Sequence, residues 1–203
     1  MTDLLPEEKI TKSTYDELAA QWASEHSTPE FWQDEMRYYL ELLPSGKIIE
    51  VGSGGGRDAK ELIKLGYDYL GTDVSTGLLE IARKELPDFS FYEQSVYDLN
   101  FNGEQFDGFW ASAVLLHVPK SRINKALARI RTVVRTKAIG FVSIKDGSGE
   151  RQEIDEVGGV QLERFFSYWS RDNFSDHLAG NGFKILDYRF RPMSEKTKWH
   201  CFL

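Results

Sequence analysis

The stretch Ile48-Ile49-Glu50-Val51-Gly52-Ser53-Gly54-Gly55-Gly56-Arg57-Asp58 decides the fold. Its first four residues form a short apolar run that is typical of a buried strand, and residues 58–65 have the spacing of a helix. The glycines between them favour positive φ angles and a close approach of a ligand to the backbone. The unpaired N–H groups at the start of a helix are suited to an anion. The stretch therefore predicts a ligand-binding turn between a strand and a helix.

Strands and helices continue to alternate on the carboxyl side of this turn. Such alternation favours right-handed βαβ units and a doubly wound, mostly parallel sheet with helices on both faces. Residues 1–45 contain two helical patterns and predict an N-terminal helical cap, which leaves residues 46–203 for the sheet domain within one structural unit. Polar residues 145–161 predict a mobile or functional loop. We expect strands at 48–51, 67–72, 89–93, 106–111, 137–144, 183–190 and 198–203, and helices at 7–26, 28–43, 58–65, 75–86, 119–135 and 170–180.

The composition narrows the class of protein without naming a function. The chain has 203 residues, a net charge of −7 and 41% hydrophobic residues, which is typical of a globular domain. An acidic balance argues against nucleic acid as the main partner. Apolar runs are far shorter than the roughly 18 residues of a membrane span, so no membrane partner is expected. The single cysteine, Cys201, is compatible with a reducing, cytoplasmic location.

Two kinds of ligand compete for the glycine turn. A dinucleotide site requires Gly-x-Gly-x-x-Gly, but its third glycine would fall at Arg57. The pattern present is Glu50-x-Gly52-x-Gly54-x-Gly56, which is similar to the first motif of the class I S-adenosylmethionine-dependent methyltransferases. This resemblance implies a seven-stranded Rossmann-like sheet with an antiparallel last strand. It also implies that the acidic residue orders the loop and the amino-acid end of the ligand.

Further segments extend the resemblance to most of the chain. Asp73 ends the second expected strand, where a carboxylate can accept hydrogen bonds from both ribose hydroxyls, although a helix-capping role stays open. Ser95 stands where relatives often carry an acidic residue that binds the adenine amino group. The backbone of Ser95 and Val96 is the alternative adenine contact in this sequence. The resemblance implies S-adenosylmethionine as cofactor, converted to S-adenosylhomocysteine, and this set of cofactor-binding residues: Glu50, Gly52, Ser53, Gly54, Gly56, Arg57, Asp73, Val74, Ser95, Val96 and Trp110.

The acceptor side has less specific signals. The sequence has no Asn/Asp-Pro-Pro-Tyr/Phe run, which marks amino-group methylation of nucleic-acid bases and protein glutamine, and no Pro-Cys pair, which marks methylation of pyrimidine carbons. Together with the acidic net charge, this favours a small-molecule acceptor over nucleic acid. His117 follows the fourth strand and is either a base or a structural histidine. Tyr15 and Trp22 lie seven apart in the first helix and either cap the cleft or pack in the core. The predicted catalytic residues are His117 and Tyr15, and the predicted substrate-binding residues are Trp22, Lys145, Arg164 and Tyr168.

Three functions stay open from the sequence. The first is methyl transfer to a small molecule, the second is a nicotinamide-dependent oxidoreductase, and the third is a non-catalytic S-adenosylmethionine-binding protein. Charged residues such as Lys145 and Arg164 are alternatively solvated surface groups. No metal site is predicted, and the chain is expected to be a monomer or a homodimer.

Overall fold

A computed structural model describes residues 4–157, 159–195 and 197–203. Residues 1–3 of the predicted cap and Gly158 of the predicted loop lie outside this range. The N-terminal region contains helices α1 (Pro6–Glu17), α2 (Ala19–Glu25) and α3 (Gln33–Leu42), with a 3₁₀ turn before α3. The prediction of one helix over 7–26 is wrong. Leu18 has φ −110° and ψ 19°, which ends α1 and starts α2 in a new direction.

The rest of the described chain alternates between strands and helices. The strands are β1 (Lys47–Val51), β2 (Asp68–Asp73), β3 (Ser90–Glu93), β4 (Phe106–Ala111), β5 (Val134–Lys145), β6 (Glu150–Val157), β7 (Val160–Ser167), β8 (Tyr188–Pro192) and β9 (Lys198–Phe202). The helices among them are α4 (Arg57–Lys64), α5 (Thr76–Glu85), α6 (Ile123–Val133) and α7 (Arg171–Gly180).

The main sheet has seven strands in the order β3-β2-β1-β4-β5-β9-β8. The five strands from β3 to β5 are parallel, and β9 is antiparallel to both β5 and β8. The predicted mostly parallel sheet with an antiparallel last strand is therefore confirmed.

Helices cover both faces of the sheet, and the sequence explains each layer. On one face, α6 buries residues at helical spacing, including Ile123, Leu127 and Ile130. On the other, α3, α4 and α5 pack their apolar stripes with Trp110 and Phe141. Burying one such large side chain stabilises the fold by about 1.5–3 kcal/mol. None of the helices in the described part of the chain is long and apolar enough to cross a membrane.

The segment after β5 differs from the prediction. Residues 150–157 of the expected loop at 145–161 form strand β6, which pairs antiparallel with β7 as a separate two-stranded sheet. Thr11 Oγ1 accepts a hydrogen bond from the Phe165 amide at 2.9 Å, and the Thr14 hydroxyl donates to the Glu163 carbonyl at 2.7 Å. The hairpin is therefore docked against α1.

Candidate active site

A cavity of about 620 Å³ lies at the carboxyl ends of β1, β2 and β4, under α1 and α2. In doubly wound sheets this edge is where ligands bind. The volume lies within the usual range for small-molecule sites. The predicted residues that line it are Tyr15, Trp22, Glu50, Gly52, Ser53, Gly54, Arg57, Asp73, Val74, Ser95, Val96 and His117.

The glycine turn forms the floor of this cavity. The amides of Gly52 and Ser53 both donate to the Thr72 carbonyl, at 2.8 and 2.9 Å, which joins the turn to the end of β2. Gly52 and Gly54 have φ angles of 77° and 52°. A Cβ at Gly52 would lie 2.5 Å from Val114, whereas one at Gly54 would meet only Leu78, at 4.0 Å. Gly52 thus permits close packing, and Gly54 leaves open space above the backbone.

Gly56 has a different place from the other two predicted motif glycines. It precedes α4 with φ 86°, and a Cβ there would lie 3.4 Å from Ala82 of α5. It does not line the cavity. Gly56 therefore allows the two helices to pack, and its placement does not agree with a direct cofactor contact.

Asp73 holds the turn and the next helix together. Its Oδ2 accepts from the Gly54 amide and its Oδ1 from the Ser75 amide, both at 2.8 Å. Both predicted roles of this residue therefore have structural support, because it bonds at the start of α5 and also lines the cavity. Each carboxylate oxygen keeps a further lone pair for a ligand hydroxyl. Burial raises the pKa of Asp73, while the backbone hydrogen bonds oppose that rise.

Glu50 and Arg57 belong to a buried charged group below the glycine turn. The Tyr69 hydroxyl donates to Glu50, and burial, followed by the nearby Asp58 charge, raises the pKa of Glu50 well above its usual value. Arg57 Nε donates to Asp58 Oδ1 at 2.6 Å. Asp58 was not among the predicted site residues, although an acidic residue in the first turn of a helix, next to an arginine, is a recognisable signal. Arg57 is therefore held in place at the cavity edge.

Trp110 does not line the cavity, and the prediction that it contacts the cofactor does not agree with its position. Its side chain is fully buried and stacks on Phe141, with ring centroids 3.9 Å apart. Its Nε1 donates to Asp58 Oδ2 at 3.0 Å. Trp110 thus supports the residue that orients Arg57.

The remaining predicted donor-side residues line the cavity together with two that were not in the predicted set of cofactor-binding residues. Ser95 Oγ accepts from the Tyr97 amide at 3.2 Å, which shapes the turn that carries Val96. Tyr97 and Ser112 also line the cavity. The Ser112 hydroxyl is buried and has no hydrogen-bond partner among the described residues. An unpartnered hydroxyl beside an open glycine backbone fits a polar ligand such as the predicted nucleoside cofactor.

Tyr15 and His117 meet at the other end of the cavity. Tyr15 Oη lies 3.0 Å from His117 Nε2, and His117 Nδ1 lies 2.7 Å from the Phe165 carbonyl oxygen. Because a carbonyl only accepts, Nδ1 carries the hydrogen and Nε2 accepts from the tyrosine hydroxyl. Burial, opposed by the Phe165 contact and aided by Arg164 and Lys145, lowers the pKa of His117 to about 3. His117 is therefore a neutral acceptor at physiological pH.

The predicted substrate-binding residues divide into two groups. Trp22 lines the cavity and packs edge-on against Tyr15, with ring centroids 5.2 Å apart. Arg164 lies directly behind it, and its Nη1 donates to Tyr15 Oη at 3.1 Å. Lys145 and Tyr168 do not line the cavity: the Lys145 amine lies over the Phe166 ring at 3.8 Å, and Tyr168 donates to Glu153 at 2.6 Å. A direct substrate contact by these last two residues does not agree with their positions.

Asp16 fastens α1 to the glycine-turn end of the cavity, and it was not among the predicted site residues. Its Oδ1 accepts from the Ser75 hydroxyl at 2.8 Å and from the Gly77 amide at 3.1 Å. The available signal was its place beside Tyr15 on α1. One helix therefore contacts both ends of the cavity.

A comparison with known families identifies the domain. Residues 48–137 match the family model described as a methyltransferase domain. The protein is an S-adenosylmethionine-dependent methyltransferase. The matched segment of this methyltransferase runs from β1 to the first residues of β5, so it contains the glycine turn, Asp73 and His117. The predicted family is confirmed, and the finding favours methyl transfer over the oxidoreductase alternative.

Individual relatives extend the similarity beyond the matched segment. The ubiquinone biosynthesis O-methyltransferase of Haemophilus ducreyi is 25% identical over 211 residues, which cover 91% of this methyltransferase and 89% of the relative. The solved 1,6-didemethyltoxoflavin-N1-methyltransferase of Burkholderia thailandensis has a TM-score of 0.75 at 15% identity, covering 100% of this chain and 91% of its own. The CcbJ methyltransferase of Streptomyces caelestis has a TM-score of 0.75 at 12% identity, covering 96% and 98%. At these identities, the structural similarity establishes the shared fold.

Proposed function

We propose that this methyltransferase acts on a small-molecule acceptor bound under α1, at the end of the cavity that holds Tyr15 and His117. The observation that carries the proposal is the continuous cavity that extends from the glycine turn to Tyr15 and His117. The net charge of −7 disfavours a nucleic-acid acceptor. The relatives named for ubiquinone biosynthesis and for a toxoflavin precursor act on small molecules, which supports the same class here.

The donor end would hold S-adenosylmethionine, which supplies a methyl group on a positively charged sulfur. Glu50 near the end of β1 and Arg57 at the start of α4 suit the amino-acid part of this ligand. Asp73 has free lone pairs for the ribose hydroxyls, and Ser95 with Val96 suits the adenine ring. The open backbone at Gly54 lets the ligand approach closely.

The acceptor end would position the acceptor and receive its proton. Tyr15 Oη donates to His117 Nε2 and accepts from Arg164, which leaves one oxygen lone pair toward the cavity. That lone pair can take a proton from the acceptor atom as the tyrosine proton passes to His117. The low pKa of His117 is sufficient for this proton transfer, because an acceptor oxygen that carries both its proton and the new methyl group is a far stronger acid than imidazolium. Holding the reactants in line supplies on the order of 7–11 kcal/mol of barrier lowering.

The proposal also covers the domain boundaries, the cellular location and the assembly of the protein. We place the cap at residues 1–45 and the catalytic domain at 46–203, with α1 and α2 closing the cavity. A cytoplasmic location is supported by the single, buried Cys201. A monomer or a homodimer stays the expected assembly.

Titration calorimetry tests the donor site directly. The folded protein is expected to bind S-adenosylhomocysteine with a dissociation constant near 1 μM, about −8 kcal/mol. Methyl-labelled S-adenosylmethionine incubated with the protein and a metabolite extract is expected to label a small molecule. Binding without any labelled product would support the non-catalytic alternative, and no heat from the folded protein would remove the donor assignment.

Replacing Asp73 by alanine tests the ribose contact. The Asp73→Ala variant loses two ligand hydrogen bonds and the restraint on Gly54, so we expect S-adenosylhomocysteine affinity to fall at least about tenfold. Asp68→Ala is the matched control, because Asp68 lies exposed at the opposite end of the same strand. Equal affinity for Asp73→Ala and the control in calorimetry would show that Asp73 only caps α5.

A further inference from the structure

Three cations gather behind the acceptor end of the cavity: Lys145 at the end of β5, Arg151 on β6 and Arg164 on β7. We call them the cationic cluster. Glu153 pairs with both Lys145, at 3.9 Å, and Arg151, at 2.8 Å, while Asp155 pairs with Arg164. These ion pairs set three positive charges against two negative ones. The cluster therefore carries excess positive charge in a protein whose net charge is −7.

Arg164 is the buried member of the cationic cluster. It is 6% exposed, and its Nε has no hydrogen-bond partner among the described residues. The side chain of Asp155, by contrast, is 46% exposed, so solvent screens its charge. A buried guanidinium with an unused donor is costly unless another group compensates it.

The Arg164 guanidinium is held directly behind the cavity wall. It lies 4.6 Å from the Trp22 ring centroid and 5.1 Å from that of Phe166. Aromatic faces attract a cation without neutralising its charge. Its Nη1 donates to the hydroxyl of Tyr15, and Tyr15 and Trp22 both line the cavity. The positive field of Arg164 thus reaches the acceptor end through two wall residues.

We infer that the acceptor carries an oxyanion, such as a carboxylate or a phosphonate, and that Arg164 supplies the charge that binds it. This inference rests on the proposed methyl transfer to a small molecule. Arg164 does not line the cavity, and its Nη1 and Nη2 atoms bond Tyr15 and Asp155, so it acts on the oxyanion through its positive field and through Tyr15. His117 stays neutral. For Arg164, burial is outweighed by the contacts with Tyr15 and Asp155 that raise its pKa, so the same surroundings repel a cationic acceptor. The charge on Arg164 therefore selects among small molecules.

Fractionating the acceptor pool by charge tests this inference on the unmodified protein. A metabolite extract is passed through an anion-exchange resin at neutral pH, and the retained and unretained fractions are each incubated with methyl-labelled S-adenosylmethionine. We expect label in products made from the retained, anionic fraction only. Equal labelling from the unretained fraction overturns the inference and leaves methyl transfer intact. No label from the whole extract, with S-adenosylhomocysteine binding intact, counts against the proposed function instead.

Substitution of Arg164 then assigns the charge to a residue. At acceptor concentrations below saturation, Arg164→Gln is expected to lower labelling from the anionic fraction at least about tenfold, and Arg164→Lys to lose less. Arg135→Gln is the matched control, because Arg135 is exposed and pairs with Asp107 at the opposite end of the sheet. S-adenosylhomocysteine affinity reports whether each variant is folded. Equal labelling by Arg164→Gln and Arg135→Gln would contradict the assignment, whereas the fractionation result needs no variant.

Discussion

The Gly54→Val variant is expected to lose S-adenosylhomocysteine binding by a factor of at least about 100, or roughly 2.7 kcal/mol. Gly54 has φ 52°, and the space above its Cα opens into the cavity. A β-branched side chain there fills the space that contact between the ligand and the backbone requires. It also strains a left-handed conformation that L-residues adopt at a cost of roughly 1–2 kcal/mol. Calorimetry of the folded variant measures the loss.

The Gly66→Val variant separates the two causes of the expected loss, which are the filled ligand space and the backbone strain. Gly66 has φ 94° and lies exposed after α4, outside the cavity. A Cβ added to it would meet no described atom within 4 Å. Valine at this position adds the same kind of backbone strain and leaves the cavity unchanged, so we expect a lower melting temperature with unchanged ligand affinity. Wild-type affinity in Gly54→Val, or an equal loss in Gly66→Val, would contradict close approach of the ligand at Gly54.

The His117→Ala variant is expected to lower turnover by about 10²–10⁴-fold, the usual range for a proton-transfer residue, with nearly unchanged S-adenosylhomocysteine affinity. The variant removes the acceptor of the Tyr15 proton, while the donor contacts at Asp73 and Gly54 stay in place. The rate of methyl transfer to the labelled acceptor gives turnover, and calorimetry gives affinity.

Two further variants determine whether His117 acts with Tyr15. Tyr15→Phe keeps the ring and removes the hydroxyl, so a double variant with His117→Ala is expected to lose little more than the larger single loss. His177→Ala is the matched control, because this histidine lies on α7 and bonds Asn124. Additive losses in the double variant, or an equal loss in His177→Ala, would show that the pair does not act as a unit.

The donor end was predictable because its signals are local. The alternation of short apolar runs with helical patterns places the glycine turn and Asp73 at the same sheet edge, whatever the details of packing. Trp110 shows the limit of this reasoning. Nearly all of β4 is buried, so its residues alternate between two apolar faces, and hydrophobicity does not show which face meets the ligand. Trp110 faces α3 and Phe141 instead of the cavity.

The acceptor end was less predictable because a buried charge, Arg164, lies behind its wall. Strand β7 turns Leu162, Arg164 and Phe166 to the buried side, and the arginine breaks the apolar alternation that marks a strand. The dipeptide Gly158-Gly159 between Val157 and Val160 was the available hairpin signal. The Tyr15–His117 contact joins residues 102 apart, and no local pattern fixes such a distance. The spacing of Tyr15 and Trp22 still brought their rings together, although α1 ends between them.

Helix α1 carries two neighbouring residues with contacts at opposite ends of the cavity. Asp16 bonds the start of α5, next to Asp73, and Tyr15 bonds His117. We therefore expect a molecule that displaces or tightens α1 at one end to change the free energy of binding at the other. Thermodynamic reciprocity requires that such a coupling be equal in both directions. Donor and acceptor are then expected to modulate each other's affinity through α1, even though they bind to different walls.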